Sequence, residues 1–283
     1  MKFSIIIPAH NEETSIGLTL QSLVDQTLAP HEIVVVNDNS TDKTRSIVEE
    51  FQKRFNFIKL VNATSSNKHL PGTKIINAFY KGFAEANKDY DVICKFDADL
   101  IFPLNYLETL AFHFNKDKTI GMVAGYCYIK KNDDWILESI TSKDHIRGAL
   151  KAYKKECFED IGQLKTAMGW DTIDELLAKY NNWNIVLDDS LHVKHLKPTG
   201  ANYNKSAKYL QGEAMYKMRY GFILTLITAL KMGFKKKSFR YFKDYIIGYL
   251  KAKINKPDYL VTKTEGEYIR KLRWNGVKQK LKA

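Results

Sequence analysis

Phe3-Ser4-Ile5-Ile6-Ile7-Pro8-Ala9-His10-Asn11-Glu12 is an apolar run that a proline closes and a polar cluster follows. Positions that are apolar in succession belong to a strand buried on both faces. Pro8 stops the ladder, and Asn11 can start the next helix. The pattern recurs downstream, where Glu32–Val36, Phe57–Val61 and Val92–Phe96 read as further buried strands. Between them Ile16, Leu20, Leu23 and Val24, then Ile47, Val48 and Phe51, then Ile75, Ile76, Phe79 and Phe83 fall at helical spacing, predicting amphipathic helices over 14–25, 44–55 and 73–86. Strand and helix in alternation predict an α/β fold with a mostly parallel, Rossmann-like central sheet flanked by helices. In such sheets ligands bind beyond the carboxyl ends of the strands, here Pro8–Glu13, Asn37–Asp42 and Asp97–Leu100.

From about Ile120 the pattern loosens. A strand is predicted over Met122–Ile129, helical stretches over Tyr153–Ile161 and Trp170–Tyr180, and two short strands near Ile185–Leu187 and Leu191–His195. After Gly200 the chain turns helical and basic, and Pro257 marks a break.

The 283 residues are 45% hydrophobic and 27% charged, a globular composition that excludes disordered and fibrous classes. Three cysteines are too few for a disulfide framework or a cysteine-based zinc site, which suits a reducing compartment. The opening apolar run is too short for a secretory signal. The longest such run, Tyr220–Leu230, is about half of the roughly 20 residues a spanning helix needs. A cytoplasmic protein is therefore expected. Net charge is +12, and it is unevenly placed: residues 201–283 carry 20 Lys and Arg against 5 Asp and Glu, the first 200 residues 24 against 27. Two regions are expected, a catalytic body over 1–200 and a basic amphipathic helical region over 201–283. In the latter, Met215–Phe234 and Arg240–Lys253 interleave aromatics with lysines. That pattern suits peripheral attachment to an anionic membrane surface at the inner face. The competing reading is that the apolar faces simply pack as core.

Asp97-Ala98-Asp99 follows a buried strand directly. A turn of the backbone is expected there, so that one carboxylate can take a divalent ion while the other acts directly, through water, or on a sugar. Hard oxygen ligands suit Mg²⁺ or Mn²⁺ bridging to substrate phosphates, although such a pair often only caps a helix. In Asn37-Asp38-Asn39-Ser40-Thr41-Asp42, Ser40 and Thr41 are capping candidates and Asp42 favours the helix dipole. Asp38 is left to accept hydrogen bonds from a nucleobase or ribose.

Taken together, Pro-Ala-His-Asn-Glu at 8–12, Asn-Asp-Asn-Ser-Thr-Asp at 37–42, Asp-Ala-Asp at 97–99, Gly169-Trp170-Asp171-Thr172-Ile173-Asp174-Glu175 and His192-Val193-Lys194-His195-Leu196-Lys197-Pro198-Thr199-Gly200 resemble the motifs of family 2 inverting glycosyltransferases of the GT-A fold, over roughly residues 1–200. The resemblance implies that a nucleotide-diphosphate sugar donates its sugar to an acceptor hydroxyl on a glycan or lipid-linked acceptor, as in cell-surface polysaccharide synthesis. It also implies roles. Pro8, Ala9 and Glu12 shape the nucleotide pocket, Asp38 holds the base, and Asp97 contacts donor while Asp99 and His195 take a divalent metal, Mn²⁺ or Mg²⁺. Asp171 is the general base with Asp174 as second choice. Four positions depart from the family pattern: Asn37 and Asn39 stand for Asp and Gly, Leu100 for a further Asp, and Ile76 for an arginine, leaving Lys74 as the nearest cation for the diphosphate. Two other classes fit less well. A sugar-nucleotidyltransferase would carry a glycine-rich loop with a basic residue after the first strand, and a nucleic-acid-binding protein would carry a fingerprint beyond bare charge, so no specific nucleic acid is expected.

Overall fold

Five of the seven residues of β1 (Phe3–Ala9) are fully buried, as an apolar run must be when helices cover both faces of a sheet. The computed structural model describes residues 1–65, 72–138, 144–197 and 208–282. β1 pairs in parallel with β2 (Glu32–Asp38) on one side and β4 (Val92–Phe96) on the other, and β2 pairs in parallel with β3 (Ile58–Ala63). Helices α1 (Ile16–Val24), α2 (Thr44–Arg54) and α3 (Thr73–Glu85) make the crossovers at the predicted places. Pro8 ends one ladder only. The β1–β4 register stops at Ile6↔Lys95, whereas β1–β2 runs on to Ala9↔Asn37, so the missing N–H falls where one neighbouring strand has already left.

Beyond β4 the sheet mixes directions, in the order β3-β2-β1-β4-β8-β6-β9-β5. β8 (Leu150–Lys154) is antiparallel to β4 and to β6 (Ile120–Lys131), β9 (Asn184–His195) is parallel to β6, and the two-residue β5 (Leu100–Ile101) is antiparallel to β9. β7 (Asp134–Leu137) hairpins onto β6 through a turn with Asn132 at φ 56°. α4 (Tyr106–Lys116) precedes β6, and α5 (Lys155–Asp160) follows β8. Two local expectations change here. Tyr153 lies within β8, which ends at Lys154, and the helix expected from 153 begins at Lys155. The two short strands after 184 are one strand, because the polar Asp188-Asp189-Ser190 is absorbed where the β6–β9 register shifts between Ala124 and Tyr126.

The chain divides into two compact units, one of Met1–Lys68, Lys74–Leu164 and Asn181–Ala201, the other of His69–Thr73, Lys165–Tyr180 and Asn202–Ala283. α6 (Trp170–Tyr180), which carries Asp171 and Asp174, therefore groups with the carboxyl-terminal helices. These are α7 (Leu210–Lys217), α8 (Phe222–Lys235), α9 (Phe239–Asn255) and α10 (Lys263–Lys282). The helical run expected over 215–234 is broken between α7 and α8, where Arg219 and Gly221 take φ 56° and 78°. α9 ends just before Pro257, with Lys256 left-handed at φ 48°. α7 and α9 cross backbone to backbone at two glycines: a Cβ on Gly212 would lie 2.0 Å from the Tyr245 carbonyl oxygen, and one on Gly248 would lie 2.2 Å from that of Tyr209.

Candidate active site

The loops leaving β1 and β2 are tied to each other. His10 Nδ1 donates to the Asp38 carbonyl (2.6 Å), the Asn11 N–H to Ser40 Oγ (3.1 Å), the Thr41 N–H to Asn11 Oδ1 (2.8 Å) and the Glu13 N–H to Asp42 Oδ2 (3.1 Å). Asn11 and Asn39 both sit at positive φ, 54° and 55°, which asparagine tolerates better than most residues. Ser40 and Thr41 thus bind the opposite loop and do not cap α2. Asp42 takes the capping part from one position further out, accepting from the Thr44 N–H (3.0 Å) and hydroxyl (2.6 Å). Burial pushes the Asp42 carboxyl up, but these bonds and that from Glu13 outweigh it and hold it below the usual carboxylate value.

Asp38 itself is 8% exposed, and its Oδ1 is buried with no hydrogen-bond partner among the described residues. Asn37, on the other face of the strand, bonds Asn62 through Nδ2 (3.0 Å). An orphaned carboxylate oxygen costs on the order of 1–3 kcal/mol in the free protein. A ligand N–H placed there removes that cost. Ala9 is buried beside Asn37 in the β1–β2 register, and Pro8 beside Val36, so both shape the same strand mouth.

At the end of β4 the chain turns, and the turn is held by Thr19 of α1. Its hydroxyl donates to the Ala98 carbonyl (2.9 Å) and accepts from the Leu100 N–H (3.0 Å). Asp97 and Asp99 then diverge. Asp97 Oδ1 pairs with the Nζ of Lys95, a lysine only 1% exposed that also donates to the Gly148 carbonyl (3.0 Å). Asp99 faces the last residue of β9, because the Leu196 N–H bonds the Asp99 carbonyl (2.9 Å) and Leu100 pairs with His195. His195 Nε2 lies 3.4 Å from Asp99 Oδ2, its Nδ1 donates to Glu138 Oε2 (2.9 Å), and Arg147 Nη2 braces that same oxygen at 3.3 Å. Burial lowers the imidazole's proton affinity, but hydrogen bonds to Asp99 and Glu138 outweigh it and raise its pKa to about 9. His192 points elsewhere, its ring tilted by 33° against Tyr128 with the centroids 4.2 Å apart.

The donor set at this corner fits a divalent ion. One carboxylate and one imidazole nitrogen face each other across 3.4 Å, and the second ring nitrogen is fixed by a carboxylate, the arrangement that orients metal-bound histidines. Cys127, Glu138 and His195 also bring ligand atoms within 4.8 Å of one another. Burial raises the Cys127 thiol far above its usual value and Glu138 is engaged by His195 and Arg147, so this trio is poorly suited to a hard cation.

The remaining predicted residues fall as follows. Glu12 receives the Ser15 hydroxyl and the Lys197 ammonium, both at 2.5 Å, which links the first loop to the end of β9. Lys74 lies in the first turn of α3. In the other unit, Gly169 at φ 79° lets the chain enter α6, with Asp171 in its first turn and half-buried, whereas Asp174 is 1% exposed. The segment Pro198-Thr199-Gly200 lies outside the described residues. Sequence reasoning missed Lys95, Glu138, Arg147 and Lys197. Lys95 left a readable signal, a charge inside an otherwise apolar strand. Glu138 and Arg147 left none, since tertiary pairing alone brings them to His195.

The sequence profile described as "Glycosyl transferase family 2" matches residues 4–165, more than half of the chain, from the second residue of β1 to beyond the end of α5. The chain belongs to glycosyl transferase family 2. Among named members, it is 40% identical over 126 residues to the "Probable glycosyltransferase YdaM" of Bacillus subtilis, covering 44% of this chain and 29% of that protein. It is 27% identical over 210 residues to the poly-beta-1,6-N-acetyl-D-glucosamine synthase of Staphylococcus epidermidis, covering 66% of this chain and 46% of that one. This family 2 chain thus spans under half the length of both relatives. Solved structures share its GT-A fold. Staphylococcus aureus TarS 1–349 in complex with UDP-GlcNAc superposes with a TM-score of 0.57 at 20% identity, over 82% of this chain and 67% of that one. The mannosyltransferase PcManGT from Pyrobaculum calidifontis, in complex with GDP-Man and Mn²⁺, gives 0.54 at 18%, over 88% and 68%.

Proposed function

We propose that this family 2 chain transfers a sugar, with inversion, from a nucleotide-diphosphate sugar to an acceptor hydroxyl in glycan or polysaccharide synthesis. The observation that carries the reading is the orphaned Oδ1 of Asp38 at the strand mouth beside Pro8 and Ala9, where a nucleobase or ribose donor would satisfy it. Solved proteins with the same fold at low identity were captured with UDP-GlcNAc and with GDP-Man and Mn²⁺, which supports a donor of this class.

In this reading Asp97, held by Lys95, contacts the donor, and Lys74 supplies positive charge to the diphosphate. Asp99 and His195 would hold a divalent ion, Mn²⁺ or Mg²⁺, which when bound would neutralise charge on the leaving diphosphate. Glu138, braced by Arg147, accepts from His195 Nδ1, which would leave Nε2 to face the ion. Asp171 accepts the proton of the attacking acceptor hydroxyl. Asp171 is preferred to Asp174 because a carboxylate 1% exposed cannot meet an acceptor. A single displacement inverts the anomeric centre and needs no enzyme nucleophile. The acceptor is a glycan or a lipid-linked glycan, and the chain works peripherally at a membrane surface; no helix of the described residues is long and apolar enough to span one.

Titrating UDP and GDP calorimetrically, in chelator and then in Mn²⁺, tests the reading. Tighter binding with Mn²⁺ is expected, and absence of binding to either nucleotide under both conditions overturns it.

A further inference from the structure

The turn between α8 and α9 places its least hidden apolar side chains around its densest charge. Phe234 is 82% exposed and Phe239 is 73% exposed, and between them run Lys235-Lys236-Lys237 and the helix cap Ser238, whose Oγ accepts from the Tyr241 N–H at 3.4 Å. The turn is built, not frayed: Lys237 is fixed at φ 47°, and the Lys236, Lys237 and Ser238 N–H groups bond the carbonyls of Met232, Phe234 and Gly233. Along α8 the exposure continues in one line, since Ile223 (61%) and Leu230 (44%) stand at i and i+7 with Phe234 at i+11. Monomeric soluble surfaces rarely concentrate exposed side chains of this size.

Charge crowds the same helix. The Lys280 ammonium of α10, burial, and Lys235 and Arg273 together push the Lys231 ammonium below its ordinary value. Amines held close enough to depress one another are stabilised by an anion laid across them. Aromatic side chains among lysines match the chemistry of a lipid headgroup layer, where rings enter the acyl boundary and ammonium groups remain at phosphate depth. A folded protein partner would cover the phenylalanines but would not by itself answer a region with 20 basic and 5 acidic residues. An anionic leaflet answers both.

We propose that the α8–α9 turn is a membrane-inserting tip that seats Phe234 and Phe239 in an anionic phospholipid surface, with Lys235, Lys236 and Lys237 on the headgroups. This deepens the peripheral-membrane part of the proposed function and rests on that part alone, so its outcome is independent of sugar transfer.

Flotation of the full chain with phosphatidylcholine vesicles, with and without phosphatidylglycerol, tests it at low and high salt. The protein is expected to float only with the anionic vesicles, less so at high salt. The double variant F234S/F239S, at exposed positions, should lose roughly 10-fold or more in vesicle affinity. K235E/K236E/K237E should lose on the order of 100-fold. Nucleotide binding and circular dichroism should be unchanged in both. If the serine variant proves unfolded, the lysine variant reads the same contact. A parent that stays with the soluble fraction overturns the proposal, as does a folded serine variant that floats as the parent does. A parent that binds an oligonucleotide but no vesicle overturns it too, in favour of nucleic acid.

Discussion

Replacing Asp38 by Ala should separate stability from binding, because the structure leaves that carboxylate costly in the free protein. Its Oδ1 is buried and unpartnered. Such a group costs about 1–3 kcal/mol. The backbone at this position would survive truncation, since the Asp38 carbonyl keeps its bond from His10 Nδ1 and the main chain keeps its pairing with Ala63. Losing three side-chain heavy atoms returns some of that gain as lost packing. Asp38→Ala is therefore expected to leave the protein as stable as the parent or up to about 2 kcal/mol more stable. Nucleotide affinity should move the other way. A hydrogen bond to a charged acceptor is worth roughly 1.5–3 kcal/mol, or about 10- to 150-fold in Kd. Urea denaturation without ligand and calorimetric titration with UDP and GDP measure the two quantities on the same preparation. Asp38→Asn, which keeps an acceptor oxygen, should fall between. A variant that is destabilised by more than about 1 kcal/mol and binds nucleotide as the parent does would show that Asp38 serves the fold, and the argument from its orphaned oxygen would fail.

Asp171→Asn should lower transfer by roughly 10²–10⁴-fold with donor affinity unchanged, whereas Asp174→Asn, at a position 1% exposed, should act through stability; retained activity in the first with loss in a stable second would move the base to Asp174. His195 carries a pKa raised from 6.5 to about 9, so without metal its contribution to stability is complete below pH 6.5 and is lost as pH rises through about 9. His195→Gln should flatten that alkaline loss in denaturation curves, and it should also weaken the Mn²⁺ dependence of nucleotide binding. Gly248→Ala should destabilise the carboxyl-terminal unit by about 1–3 kcal/mol, since the added carbon meets the Tyr209 oxygen at 2.2 Å; unchanged thermal melting would mean that the α7–α9 crossing relaxes freely.

The parallel half of the sheet was legible because its strands are buried on both faces and each one ends in a polar cluster; Ile5, Val35 and Cys94 are all fully buried as their runs suggest. The second half was harder for local reasons. The Asp188-Asp189-Ser190 bulge interrupts the apolar period of β9, and Tyr153 has helix-compatible neighbours but lies opposite Ile93 in a strand. The loop residues Ser40 and Thr41 carry capping chemistry that the neighbouring loop claims first, through Asn11.

By itself the sequence determined where the apolar runs stop, and hence that Asp38, Asp97 and Asp99 lie at strand mouths, as well as the concentration of positive charge after residue 200. Those are properties of neighbours along the chain. Only the tertiary structure decided which carboxylate faces His195. Asp99 does so because β5 pairs with β9, and Asp97 does not because buried Lys95 holds it. Nor could the sequence supply Glu138 and Arg147 behind that histidine, 57 and 48 residues away along the chain, or the open Phe234 and Phe239 at the α8–α9 turn. Burial and hydrogen-bond partners are set by strand register and helix crossing, and no local pattern of residue types encodes a distance between them.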